Sequence, residues 1–172
     1  MALERLFNPA TRWLIAFPEA FADWQNPTAA ELNARDGLVF EITCAVNQDG
    51  SRFDLGDSDT DDSLTFCQVA GAANRTTENP DIAWEVERSR DPLADNTANT
   101  AFELLAWKGI EYFAIMSVGE TPQTAFSVGD RIKIARVATD YGTHVVGTGE
   151  NVRLAQVPAN RGDVLWNYEI AA

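Results

Sequence analysis

LVFEITCAVNQDGSRFDLGDSDTDDSLTFC, residues 38–67, decides how the rest of the chain is read. Leu38, Phe40, Ile42, Cys44 and Val46 alternate with Val39, Glu41, Thr43 and Ala45. That period of two predicts a strand over 38–46, with one face on a core and the other toward water. Asn47-Gln48-Asp49-Gly50 then supplies turn chemistry, since Gly, Asn and Asp tolerate the positive φ of tight turns. The segment that follows is too long for a simple hairpin. It holds Asp49, Asp54, Asp57, Asp59, Asp61 and Asp62 before Leu64-Thr65-Phe66-Cys67 resumes a strand pattern. A loop of that length, 47–63, is expected to contact something.

Composition sets the outer limits. The 172 residues suit one domain, or one domain with arms, and 45% hydrophobic content with nine Phe and five Trp is enough for a core. Disorder of the whole chain is thereby excluded. The formal charge of −13 argues against gripping nucleic acid, because the chain lacks the cations that would replace condensed counterions on a phosphate backbone. An acidic surface facing DNA repels it instead. Strand parity sets Cys44 beside Ile42 and Cys67 opposite Leu64 and Phe66, so two free, partly buried thiols are expected, not a disulfide. Pro18 ends the apolar run from Trp13 to Phe17, well short of the roughly 20 residues a bilayer span needs. Neither a signal peptide nor a membrane anchor is expected.

Residues 1–34 interleave Phe7, Trp13, Phe17, Phe21 and Trp24 with Pro9, Pro18 and Pro27 and are expected to form an N-terminal arm. Its aromatics either complete this domain's core or lie on a neighbouring subunit. Within it, Thr28 and Glu31 have the spacing of a capping box. The remainder, 35–172, is expected to be a single domain. Ile82, Trp84 and Val86 predict a strand near 83–88. A helix is predicted over about 97–108, with Thr100 and Glu103 as a second capping-box candidate, Ala101, Phe102 and Leu105 as its apolar stripe, and Gly109 as its stop. Further strands are predicted over 110–118, 131–138, 152–157 and 164–170. Seven or eight strands with one helix predict a mainly β (α+β) fold, a β-sandwich or barrel-like body flanked by a helix.

Catalytic signatures are not found. His144 is the only histidine, and the chain has no Gly-x-Ser-x-Gly, no phosphate-cradling Gly-rich loop and no Cys-x-x-Cys. Asp57, Asp59 and Asp61 have the spacing that opens a calcium loop. Asp62 nevertheless replaces the Gly of its sharp turn, and Gln68 replaces the closing bidentate Glu. An EF-hand is rejected; a weak divalent site and a solvated acidic loop both stay open. Adjacent carboxylates such as Asp61 and Asp62 are common by chance in so acidic a chain. No enzyme activity, cofactor or dedicated metal site is expected.

Several of these features occur together in a known family. Pro27-Thr28-Ala29-Ala30-Glu31-Leu32-Asn33, the strand from Leu38 to Val46, the acidic Asp57 to Asp62 leading into Leu64-Thr65-Phe66-Cys67, the single helix after a β half, and Gly129-Asp130 opening a late strand resemble the major tail tube proteins of long-tailed bacteriophages. The similarity runs from Pro27 onward and is strongest over Pro27 to Cys67. The resemblance implies hexameric rings stacked into a hollow tube lined by a continuous β-barrel, through which DNA passes without specific binding. It also implies a place in the virion tail after synthesis in the host cytoplasm, with a tape measure protein and a tail terminator as further partners.

On that basis Glu41 and Thr43 are expected to line the lumen, and Asp49, Asp54, Asp57, Asp59, Asp61 and Asp62 to reach the adjacent ring. Trp13, Phe17, Phe21 and Trp24, with Trp166 and Tyr168, are expected to bind neighbours. Arg131 and Lys133 would then pair with acids of a neighbour. The competing expectation is a monomeric β-sandwich binding module for carbohydrate or cell-surface ligands, using Trp84, Trp107 or Trp166 as a stacking platform. Such a module would keep its monomer mass at high concentration.

Overall fold

The structure, a computed structural model, describes residues 11–34, 36–56, 60–61, 74–75, 80–89, 91, 93–119, 124–145 and 152–171. In chain order its strands are Thr11–Ala16 (β1), Val39–Glu41 (β2), Arg52–Leu55 (β3), Thr60–Asp61 (β4), Asn74–Arg75 (β5), Pro80–Glu87 (β6), Glu111–Val118 (β7), Arg131–Ala138 (β8), Thr143–Val145 (β9), Arg153–Gln156 (β10) and Ala159–Glu169 (β11). Ala29–Leu32 (α1) and Thr97–Leu105 (α2) are its α-helices among the described residues. Two antiparallel sheets result, ordered β11-β8-β7-β1-β2 and β3-β6-β10-β9, with β4 and β5 paired apart from them. The mainly β, sandwich-like class read from the sequence is the one observed.

The first sheet is packed on both faces, because its central strands are apolar at successive positions instead of alternate ones. Trp13, Ile15, Tyr112, Ala114, Ala135 and Val137 meet Phe53, Ile82, Trp84, Val86 and Leu154 of the second sheet and Phe102 and Leu105 of α2. Leu14, Ala16, Phe113, Ile115, Ile132 and Ile134 form a second core with Phe21, Leu32, Phe126 and Ile170 on the far face. Trp84, 1% exposed, donates its indole N–H to Gln156 Oε1 at 2.9 Å, so the largest core side chain is also satisfied.

Three expectations are corrected here. The 1–34 arm is not set apart: β1 lies inside the first sheet between β7 and β2, and Trp13 and Phe21 are buried in their own chain's cores. Phe17 packs on Phe40 and Tyr112, and Trp24 stacks on Phe113 at 5.6 Å. Prolines on either side made the Trp13–Phe17 run look irregular, yet Thr11–Ala16 falls between them and is free to pair. Residues 1–10 lie outside the described residues.

The strand predicted over 38–46 is cut to Val39–Glu41. Ile42 leaves the extended region at φ −111° and ψ 4°, and Thr43–Ala45 makes a 3₁₀ turn. A side-chain competitor accounts for this: the Thr43 hydroxyl accepts from Trp13 N–H at 2.9 Å, taking the ladder bond that a longer β2 would accept from β1, while Trp13 C=O keeps its bond from Ile42 N–H at 2.9 Å. The alternation fails with it. Cys44, read as partly buried, is exposed, while Val39 and Ile42 are both buried. Cys67 lies outside the described residues.

Third, α2 begins at Thr97 as expected but is capped by Asn96 and not Thr100, with Asn99 N–H donating to Asn96 Oδ1 at 3.0 Å, and it ends at Leu105, three residues before the expected 108. Thr100 is already inside the helix and donates its hydroxyl to Asn96 C=O. The stripe of Ala101, Phe102 and Leu105 is buried as expected, and the Thr28–Glu31 capping box is present in both halves. Part of the expected acidic loop is sheet as well: Arg52–Leu55 pairs with Ala83–Pro80.

Candidate functional site

The margins, ends and charges of the two sheets are the candidate functional surfaces among the described residues. β11 is the long margin. Six of its eleven residues are in register with β8 on one side, and among the described residues no strand pairs with its other side. Register shifts fall between Asn160 and Val164 and between Leu165 and Tyr168. Gly162 at φ +83° and Asn167 at φ +57° take left-handed conformations near them, as strand irregularities require. Residues 159–162, 166, 167 and 169 are exposed. At the opposite margin, β2 is only three residues long, so it offers little template for another strand.

The acidic residues expected to face outward divide into distinct groups. Glu41 is bound inward: its Oε2 receives Arg12 Nη2 at 2.9 Å, and Thr43 donates to Oε1 at 3.2 Å. Arg12 is itself buried under Phe126, whose ring centre is 4.0 Å from the guanidinium carbon, and it also donates to Thr124 C=O. Glu41 and Thr43 are thus both half-buried and bonded within the chain. Asp49 and Asp54 are exposed. Asp61 is in β4 opposite Asn74, whereas Asp57, Asp59 and Asp62 lie outside the described residues.

The two cations expected to reach a neighbour are answered within the chain. Arg131 lies 3.7 Å from Glu169. Lys133 donates to Phe53 C=O at 2.9 Å, lies 3.9 Å from Asp54 and sits 3.9 Å from the centre of the Trp166 ring. Burial pushes the Lys133 ammonium below its ordinary range, opposed by Asp54. One side chain thus joins β3, β8 and the Trp166 part of β11, which sequence spacing could not reveal. Tyr168 is half-buried against the second core. Of the three tryptophans named for a stacking platform, Trp84 is buried, Trp166 is occupied by Lys133, and Trp107 is 69% exposed.

Carboxylates inside ion pairs and caps give the fold a defined acid limit. The Arg136 hydrogen bond and charge hold Glu111 below the usual carboxylate range, and the Tyr141 N–H and Lys108 do the same for Asp140. Arg52 lowers Asp81. Burial pushes Glu31 up, but hydrogen bonds from Ala22, Thr28 N–H and the Thr28 hydroxyl outweigh it, leaving Glu31 lowered. Lowered folded values mean that these groups contribute stability above their unfolded values of about 4, and that it is lost as pH falls through the folded ones. Thermal melts at pH 7 and 5 should therefore nearly coincide, with the midpoint dropping below pH 4. A midpoint that rises on going from pH 5 to pH 3 would contradict this.

An open groove of about 570 Å³ lies between β2 and the start of α2, lined by Val39, Phe40, Cys44, Asn96 and Thr97 among others. No group of three or more His, Cys, Asp or Glu among the described residues is placed to hold a metal ion. Among the described residues, no helix is long and apolar enough to cross a membrane.

A search of curated proteins gives no match. The model of one family, phage tail tube protein, matches residues 5–172. That span takes in β1, both sheets, the β11 margin and α2, so the match covers the whole described architecture and extends the resemblance read from Pro27 onward. The chain belongs to the phage tail tube protein family and is a structural, non-enzymatic component of the virion tail, of the kind that self-assembles into tubes.

Proposed function

We propose that six copies close into a ring through their sheet margins and that rings stack into the tube through which DNA leaves the virion. The observation that carries this is β11: an eleven-residue strand paired with β8 along one side and, among the described residues, unpaired along the other. Exposed strand margins of this length otherwise invite uncontrolled association, and closing them into a ring removes the hazard. The formal charge of −13 supports a wall that DNA slides past, since each phosphate contact by Lys or Arg would hold it. A tape measure protein inside the tube and a terminator at its end complete the set of partners. Asp49 and Asp54 remain candidates for contact with the adjacent ring, together with Asp57, Asp59, Asp61 and Asp62. Of the residues of the expected arms, the half-buried Phe17, Trp24 and Tyr168 and the exposed Trp166 keep surface to offer a neighbour.

The test is amide hydrogen exchange on free protomer and on tubes collected by sedimentation, with negative-stain microscopy to confirm that tubes form. Amides of 159–169 facing the open margin should exchange at least about 100-fold more slowly in tubes, as expected for amides newly bonded in a buried sheet. Equal exchange in both states would eliminate β11 as the lateral contact. Protein that stays monomeric at high concentration would favour the binding-module alternative.

A further inference from the structure

Margins can join copies side by side, but a tube also needs contacts along its axis. Among the described residues, five of the eight exposed large apolar side chains lie at the two ends of the β7–β8 ladder, the others being Leu55, Leu93 and Trp166. At one end are Trp107, 69% exposed, just before β7, Tyr141, 77% exposed, just after β8, and Val157, just before β11. At the other are Val118, which ends β7, and Val128 in the turn that opens β8. Eight-residue strands hold these ends roughly 23 Å apart.

The Trp107 end is both rigid and electrically balanced. Thr139, 2% exposed, ties it: its hydroxyl donates to Trp107 C=O and accepts from Ile110 N–H, and its carbonyl accepts from Gly109 N–H at 2.7 Å. Gly109 at φ +82° makes the reversal between them, a conformation that L side chains rarely adopt. Three cations and three carboxylates pair here: Lys108 with Asp140 at 3.2 Å, Arg136 with Glu111 at 2.7 Å and with Asp163 at 3.5 Å, and Arg161 with Glu111 at 3.4 Å. Lys108 Nζ also lies 4.8 Å from the centre of the Tyr141 ring.

In a chain of formal charge −13, a balanced patch bearing exposed aromatics on a fixed loop is where another equally acidic copy can approach with least repulsion. Aromatic side chains that need no reordering are the residues that anchor such contacts. A contact that repeats without limit must also join two different patches, since a patch that met its own copy would close a dimer. The ladder supplies two apolar ends of unlike make-up.

We propose that the Trp107–Tyr141 end of one copy seats on the Val118–Val128 end of a second copy in the next ring. The contact rests on the tube reading above, yet it can fail on its own. Trp107→Ala with Tyr141→Ala alters exposed side chains, so protomer melting should be unchanged. The concentration at which tubes appear should rise roughly tenfold or more, with rings still visible, because losing two anchors costs at least one decade in affinity. Wild-type tubes alongside variant tubes at the same threshold would overturn this contact and leave the lateral reading intact; a wild type that never forms rings or tubes would overturn both.

A cross-link fixes the identity of the occupant. In a Cys44→Ser, Cys67→Ser background, Trp107→Cys combined with Val128→Cys should give, on oxidation of tubes, a ladder of disulfide-linked multimers on a non-reducing gel. Trp107→Cys alone should give none. Dimers from the single variant would mean that like ends meet, and the proposal would fall.

Discussion

Replacing Arg12 with alanine is expected to lower stability against urea by about 3–5 kcal/mol, the range seen when one partner of a buried ion pair is removed. Arg12 is 1% exposed at its side chain and Glu41 17%, so the carboxylate left behind has little water to turn to. Three attachments go at once. The guanidinium joins β1 to Glu41 at the end of β2, to Thr124 C=O, and to the ring of Phe126. Phe126 is itself fixed to the end of α1, with Asn33 Nδ2 donating to its carbonyl and its N–H donating to Asn33 Oδ1, both at 2.8 Å. The cover over the second core therefore depends on a cation in the middle of an acidic chain. Arg12→Met with Glu41→Gln should recover much of the loss, because stem packing returns and no unpaired charge remains. A loss below about 1 kcal/mol for Arg12→Ala would show that the pair is solvated and incidental.

That pair also shows what the sequence could and could not say. Period-two and continuous apolar runs located β6, β7 and β8 to within a few residues, because burial decides those positions and burial is written in side-chain type. The Thr28–Glu31 cap and the α2 stripe were legible for the same reason, each being satisfied within one turn. The misread parts depend on partners far along the chain. Thr43 ends β2 by bonding to Trp13, 30 residues earlier, and Glu41 turns inward for Arg12, 29 residues earlier. A strand rule that sees only neighbours assigns both to an open polar face. β1 was missed because its apolar run is buried on both faces and lies between prolines, a pattern that alternation cannot detect. For the candidate surfaces, composition revealed the acidity but not its distribution. The balanced Trp107 end exists because strands starting at Glu111, ending at Ala138 and bearing Arg161 and Asp163 converge there.

Tube formation should be strongly salt-dependent, with the tube fraction at fixed protein concentration falling at least about tenfold between 0.15 M and 0.01 M NaCl. Each copy carries a formal −13. Treated as point charges 30 Å apart in water, two copies repel by roughly 9 kcal/mol at 0.01 M salt and roughly 0.5 kcal/mol at 0.15 M. Spreading the charge over the surface changes both figures, but even a fifth of the difference exceeds one decade in affinity. The opposing effect is smaller. Salt also weakens pairs such as Lys108–Asp140 and Arg131–Glu169, which are about half exposed and contribute at most about 1 kcal/mol each. Those pairs are already formed in the free protomer, so screening them changes folding more than assembly. Sedimentation in NaCl with a chelator present, to keep divalent cations off the Asp57–Asp62 segment, isolates the monovalent effect. Equal or greater tube yield at 0.01 M would mean that the charge is neutralised or carried away from every contact, and that the balanced patch at Trp107 has no special claim as the place where copies meet.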